Sequence, residues 1–341
     1  MSIRPVYYHS PETEEDRMKF GLLSVTYSGL FYAGPALSLE EQIRKARQLG
    51  FDGLAIETKR PVASPIDLSK SDRSRFKSYA ADHGIALCAV ESMSNFTSRL
   101  MEERDNNLVM MHAVLELARD LDVKLVKVFA AWPGLVDGEE SIAMYAPYER
   151  GNHFRRLYPP DLRKWQRAVE GIREVATWAS DMGITLVLQN HAPVIAPGYE
   201  DVLAMMQEID RPNVKLCLDV NLYYDRQSDA YVEESVRRCA PHIAYTHYGA
   251  WNFSQTPDGD VIQDPAPSFG GLINYDAFVR ALHQIGYSGY IVSEYCTPVL
   301  KNHTVAGIDA IDEGTRLALK YMKRLVQTAG ATPADQLRAA G

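Results

Sequence analysis

The sequence predicts an α/β protein folded as a closed (β/α)8 barrel with long loops after the fourth and seventh strands. Three observations carry that expectation. Eight short runs are apolar on both faces and alternate with amphipathic stretches, several of which stop at a glycine. Such runs belong to parallel strands, which only a crossover helix can join. No run is followed by a Gly-x-Gly-x-x-Gly turn or a Gly-x-x-x-x-Gly-Lys-Ser/Thr loop, which removes the doubly wound open sheet.

The elements follow in order. After a polar leader, residues 20–25 (FGLLSV) read as the first strand and 39–49 as a helix stopped by Gly50. Residues 53–56 form the second strand and 72–83 a helix stopped by Gly84. The third strand is 85–90, its helix 104–121, and the fourth strand 124–129. A long insertion, 133–160, precedes the helix at 162–182, which stops at Gly183. Strands five to eight are read at 184–188, 214–218, 243–246 and 289–293, and a last helix runs from 309 to about 328. A second insertion, 249–271, is rich in Gly, Pro, Ser and Asp, as suits a lid or a partner-docking loop. The expected organisation is an extension at 1–18, one barrel at 19–328 and a tail at 329–341.

Composition narrows the function. With 46% hydrophobic and 23% charged residues the chain can bury a large core, so disorder is expected only at its ends. Acidic residues outnumber basic ones by 44 to 36, giving a charge of -8 and no basic stripe for a nucleic acid. No apolar run reaches the roughly 18–20 residues of a bilayer span, and the charged first 20 residues do not resemble a targeting signal, so a cytoplasmic location is expected. Cys88, Cys217, Cys239 and Cys296 are scattered, which suits reduced core thiols rather than disulfides or a cysteine zinc site.

Barrel enzymes place their chemistry where strands end at the C-terminal face. Here the fifth strand ends in Gln189-Asn190-His191, the sixth in Asp219, the seventh in His247 and the eighth in Glu294. Two carboxylates, an imidazole and an amide oxygen form a mixed N/O donor set suited to Mn²⁺, Mg²⁺, Co²⁺ or Fe²⁺. The alternative is four separately hydrogen-bonded strand ends. Alternation returns His191 to the side of Gln189, where it is either a general base or a packing residue beside Pro193. Trp132, Trp251, Phe253, Tyr27, Phe31 and Tyr32 supply aromatic rings for a sugar or polyphenol, or for loop packing. Asn221 and Lys127 are candidate sugar contacts, although Lys127 could instead face the helices. Glu57 and Glu91 end strands two and three, to bind substrate or to pair with Lys59 or an arginine.

The runs Leu188-Gln189-Asn190-His191, Leu218-Asp219-Val220-Asn221, Tyr245-Thr246-His247 and Val292-Ser293-Glu294 resemble the metal motifs of the xylose-isomerase-like TIM-barrel superfamily of sugar isomerases and epimerases. The likeness runs from about residue 20 to 325. It implies a divalent metal on Gln189, Asp219, His247 and Glu294. It further implies a keto sugar whose enediolate that metal stabilises after a proton leaves the carbon next to the carbonyl. In that family the first ligand is a Glu that also moves a proton; Gln189 can offer an oxygen but accepts no proton at neutral pH. Leu222 and Phe253 stand where the ketose 3-epimerases have a His and an Arg. A symmetric exchange between two glutamates is therefore not expected.

One metal and one base, His191, with Glu294 as the remaining carboxylate, suit β-elimination. In that respect the chain resembles the larger subunit of the bacterial C-glycoside deglycosidases. That likeness implies Mn²⁺ (alternatively Mg²⁺ or Co²⁺), a 3-oxo-C-glycoside substrate, His191 as the base, an oligomer and a smaller β-sandwich partner subunit. Three alternatives stay open. One is a keto-sugar isomerase or 3-epimerase, and another an inactive barrel serving as a partner-binding scaffold. The third is an endonuclease-four type metal nuclease, against which the net charge speaks.

Overall fold

The computed structural model describes residues 17–137, 143–145, 163–196, 198–223, 226–249, 253–263 and 273–330. Eight strands form the barrel: β1 (Lys19–Leu23), β2 (Gly53–Glu57), β3 (Ala86–Glu91), β4 (Leu125–Val128), β5 (Thr185–Gln189), β6 (Val214–Asp219), β7 (Ile243–Gly249) and β8 (Tyr290–Glu294). All neighbouring pairs are parallel, and the ring closes in the order β1-β8-β7-β6-β5-β4-β3-β2. Around it lie α1 (Leu39–Leu49), α2 (Lys70–Asp82), α3 (Met101–Asp120), α4 (Lys164–Asp181), α5 (Glu200–Ile209), α6 (Asp229–Cys239), α7 (Tyr275–Gln284) and α8 (Ile308–Gly330). The predicted (β/α)8 architecture is therefore the observed one.

Local chemistry sets the element ends. Ser38 and Glu41 form a reciprocal capping box that starts α1, and Gly50, at φ 88°, stops it in the left-handed region. Ser69 and Asp72 do the same for α2, which is why it begins two residues before the predicted start. The predicted first strand extends to residue 25, but the chain leaves β1 at Leu23 and winds into a short 3-10 turn, Ser24–Tyr27. There the Ser24 hydroxyl accepts the Glu57 backbone N–H at 2.8 Å and takes over from the strand ladder.

Side chains alternate across each strand. Leu22, Leu54, Val90, Val126, Leu188, Leu218 and Ile291 face the helices and join the larger core. Leu23, Ala55, Ala89, Leu125, Val187, Cys217, Tyr245 and Val292 meet in a second, smaller cluster inside the barrel. Near its base the room for side chains is narrow. A Cβ on Gly53 would sit 2.9 Å from both Ala86 O and the Tyr290 ring, so only glycine fits. Cys88, Cys217 and Cys239 are buried free thiols and Cys296 is partly buried, as expected.

Both insertions start as hairpins. Leu135–Asp137 pairs with Ala143–Tyr145 after β4, and Phe253–Gln255 with Val261–Gln263 after β7. The second hairpin rests on α8, where Lys320 Nζ donates to Gly259 O (3.2 Å) and Arg324 Nη2 to Val261 O (3.0 Å). Trp251 and the Phe253 side chain, two candidate aromatic contacts, lie outside the described residues. Among those residues no helix is long and apolar enough to cross a membrane.

Candidate metal centre

The inner cluster fixes what stands at the mouth. Two residues beyond Ala55, Ala89, Leu125, Val187, Cys217, Tyr245 and Val292 come Glu57, Glu91, Lys127, Gln189, Asp219, His247 and Glu294. Strand alternation turns all seven inward, so β2 to β8 end in one polar layer above an apolar plug. Each predicted strand from β5 to β8 stops where the apolar run stops. The real β5, β6 and β8 run one residue further and β7 three, so the polar side chains are rigid strand residues rather than loop residues.

Asp219, His247 and Glu294 each present one ligand atom, all within 4.8 Å of one another. His247 Nδ1 lies 3.1 Å from Glu294 Oε2 and 3.9 Å from Asp219 Oδ2. Gln189 reaches the same point: its Nε2 donates to Asp219 Oδ2 at 3.0 Å and lies 3.4 Å from His247 Nδ1. Gln189 Oε1 is buried without a hydrogen-bond partner. A half-turn of the amide exchanges the two atoms and aims the oxygen at the shared point. With that turn the side-chain set fits a divalent cation: three oxygens and one imidazole nitrogen would converge, the third oxygen being the one now buried without a partner. Of the two carboxylates, Glu294 keeps 19% side-chain exposure against 4% for Asp219, so Glu294 is the one a ligand can reach.

Neighbouring groups hold these side chains in place. The Asn221 backbone N–H and Nδ2 both donate to Asp219 Oδ1, at 3.0 and 2.9 Å, and the Tyr275 hydroxyl donates to Asn221 Oδ1. Asn221, read from sequence as a sugar contact, thus has its amide committed to orienting Asp219. Asn190, fully buried, clamps β5 to β6: its Oδ1 accepts the Asp219 N–H at 2.8 Å and its Nδ2 donates to Asp219 O at 3.1 Å. The Gln-Asn-His run drew attention to its first and last members, and nothing in the pattern marked the middle one as a brace.

Glu91 lies beneath His247. His247 Nε2 donates to Glu91 Oε1 at 2.9 Å, the Tyr245 hydroxyl donates to the same oxygen at 2.8 Å, and Lys127 Nζ pairs with Oε2 at 2.7 Å. A carboxylate on one imidazole nitrogen fixes the tautomer that leaves Nδ1 free for a cation. Lys127 faces the barrel interior, not the helices. It is 2% exposed, and its Nζ lies 3.9 Å over the Phe129 ring. Its ammonium is taken by Glu91 rather than offered to a sugar.

The charges are strongly coupled. Burial disfavours ionised Glu91, but Lys127 and His247 outweigh it and hold the carboxyl well below its usual range. Burial likewise disfavours the His247 imidazolium, yet Glu91 and Glu294 push it up to about 10. Asp219 is raised by burial and by the Glu294 charge. Between Glu91 and Glu294 the ring is readily protonated, and a cation bound at Nδ1 would displace that proton. Glu91→Gln is expected to weaken metal binding about 10–100-fold in a Co²⁺ titration. It also leaves Lys127 as an unpaired buried charge, lowering stability by about 3–5 kcal/mol in urea unfolding.

His191 follows β5 at the rim. Its Nδ1 bonds the Ala192 carbonyl, which can only accept, so that nitrogen carries the proton and Nε2 keeps its lone pair. The ring stands edge-on to Phe129 (5.0 Å between centroids) and tilted against Trp132 (5.9 Å). Burial, aided by Lys127, lowers its pKa to about 4, and Glu294 and His247 are within electrostatic range. The ring is packed as one reading of the sequence has it, and its Nε2 makes none of the hydrogen bonds described for the mouth. Trp132 is the aromatic that joins it at the rim. Tyr27 and Tyr32 are instead buried in the larger core with Asp312 and backbone carbonyls as partners.

The family model described as xylose isomerase-like TIM barrel matches residues 43–335. The chain belongs to the xylose isomerase-like TIM barrel family. A ketose 3-epimerase of Arthrobacter globiformis is 24% identical over 280 residues, covering 81% of this chain and 83% of its own. The D-psicose 3-epimerase of Clostridium cellulolyticum H10, solved with D-tagatose, superposes with a TM-score of 0.64 at 21% identity, over 91% of this chain and 99% of that one. A family member from Mycobacterium smegmatis, solved in complex with magnesium, gives 0.61 at 18% identity over 94% and 100%. These structural likenesses carry the fold, and the family supplies the frame for the site's chemistry.

Proposed function

We propose that this xylose isomerase-like barrel is a divalent-metal-dependent enzyme that moves a proton at the carbon next to the carbonyl of a keto sugar, in the isomerase and epimerase class. The convergence of Gln189, Asp219, His247 and Glu294 carries the reading, and the kinship with ketose 3-epimerases supports the sugar substrate. The N/O donor set suits Mn²⁺, Mg²⁺ or Co²⁺. A cation held there contributes Lewis-acid polarisation of the carbonyl. Glu294 and His191 are the two proton-handling groups. β5 and β8 are three strands apart in a ring of eight, so the two groups approach a bound carbon from different sides. One can remove a proton and the other return one to the opposite face. Trp132 offers its ring to the sugar's C–H face.

The second base of a two-glutamate site is thereby shifted from position 189 to 191. Gln189 also favours a second reading, in which His191 alone removes the proton and a substituent β to the carbonyl departs, as in cleavage of a 3-oxo-C-glycoside with a small partner subunit. One experiment separates the two. The Mn²⁺-loaded protein is incubated in D₂O with D-fructose and, separately, with a 3-oxo-C-glycoside. Deuterium at C3 of the ketose, with C3-epimer accumulating, is the expected result. Release of the aglycone without exchange into the ketose would assign the lyase instead, and no metal-dependent change in either would leave a scaffold.

A further inference from the structure

The polar layer at the mouth has seven members, and six are accounted for. Gln189, Asp219, His247 and Glu294 form the candidate metal centre, while Glu91 and Lys127 support His247 from below. The seventh, Glu57, ends β2. In the ring order β2 stands opposite β6, so Glu57 faces Asp219 across the mouth. Its side chain is 7% exposed, and it forms an ion pair with Lys59 Nζ at 3.2 Å. Lys59 is itself 18% exposed and places its Nζ 5.5 Å over the Trp132 ring, which in turn tilts against His191 at 5.9 Å. A continuous rim therefore runs from the metal side at His191, over the partly buried Trp132 ring, to a carboxylate–ammonium pair on the far side.

A buried ion pair of this kind is weak support for a fold, since removing two charges from water offsets most of their attraction. No helix cap, turn or strand brace in the described residues uses the Glu57 carboxylate. Its chemistry does match one ligand feature. A vicinal diol presents hydroxyls that each donate and accept, so one can donate to the carboxylate while its neighbour accepts from the ammonium. The neighbouring indole can cover the C–H face of the same carbons.

We propose that Glu57 and Lys59, with Trp132, form a diol-binding subsite that grips the end of the sugar remote from the metal. The subsite selects chains long enough to span the mouth. Small ketoses reach the metal but leave the pair empty, and ketohexoses engage both. The inference rests on the keto-sugar reading above for the identity of the ligand, and it adds the determinant of substrate length.

The test is a calorimetric titration of the Mn²⁺-loaded protein with D-fructose and with dihydroxyacetone, for the wild type, Glu57→Gln and Lys59→Met. Wild type is expected to bind the hexose more tightly than the triose. Each variant should raise the hexose Kd about tenfold while moving the triose Kd less than twofold, and should still bind one Mn²⁺. Equal hexose and triose affinities in the wild type, or a hexose Kd unmoved in both variants, overturns the proposal. Failure of the keto-sugar chemistry is seen separately, as hexose discrimination without deuterium incorporation at C3.

Discussion

Asp219→Asn is expected to lower metal-dependent turnover by about 10³-fold or more, since Lewis-acid stabilisation of a developing oxyanion is worth several kcal/mol. The substitution keeps the shape of the side chain, and the amide can still accept the two Asn221 hydrogen bonds at Oδ1. What it removes is one of the two carboxylate charges that would hold a cation. The protein without metal should not lose stability. Burial and the Glu294 charge raise Asp219 above its ordinary value, so at neutral pH the folded state works against its ionised form. Turnover measured beside the urea midpoint therefore separates a ligand from a structural residue. Loss of both together would mean that Asp219 holds the barrel rather than a metal.

His191→Ala is the second large effect, about 10²–10⁴-fold in turnover, the range for one general base. Metal affinity should change little, because the ring bonds the Ala192 carbonyl and packs on Phe129 and Trp132 rather than on the candidate ligands. A third outcome is informative. If epimer formation stops while deuterium still enters the substrate, Glu294 works one face and His191 the other. If turnover survives intact, the base lies elsewhere.

Much of this site was legible before any coordinates, for a physical reason. Barrel strands are apolar on both faces until they reach the mouth, so a polar residue closing an apolar run is conspicuous. Gln189, Asp219, His247 and Glu294 all stood out in that way. The same cue marks Glu57 and Glu91 but cannot rank them, because a one-dimensional pattern does not say which strand residues face each other; Lys127 lies inside the expected fourth strand. Ring closure answers that: Glu91 lies under His247, and Glu57 faces Asp219 across the mouth. Asn221 and Asn190 show the other limit. Their role is to hold Asp219 through backbone and side-chain hydrogen bonds, which depends on the register of β5, β6 and the turn after it. The helix start at 39 is read from the sequence, whereas the caps at Ser69 and Ser228, which a sequence also displays, go unused: α2 is read from 72 and α6 is not placed. The end of β1 does not, since it depends on the Ser24 hydroxyl meeting the Glu57 backbone from the neighbouring strand. On chemistry, Gln189 in place of a glutamate points the sequence toward elimination. Two of the relatives, from Arthrobacter globiformis and Clostridium cellulolyticum, are 3-epimerases, and in the proposed reading His191 would serve that class as the second proton carrier.

The central claim is that four strand ends hold one divalent cation for sugar chemistry. Titrating Co²⁺ into chelator-stripped protein, followed by its visible absorption, tests it most directly. The expected result is one Co²⁺ per chain with the spectrum of a mixed N/O site, lost in Asp219→Asn and retained in His191→Ala. Binding that is absent in the wild type, or unchanged in Asp219→Asn, would contradict it.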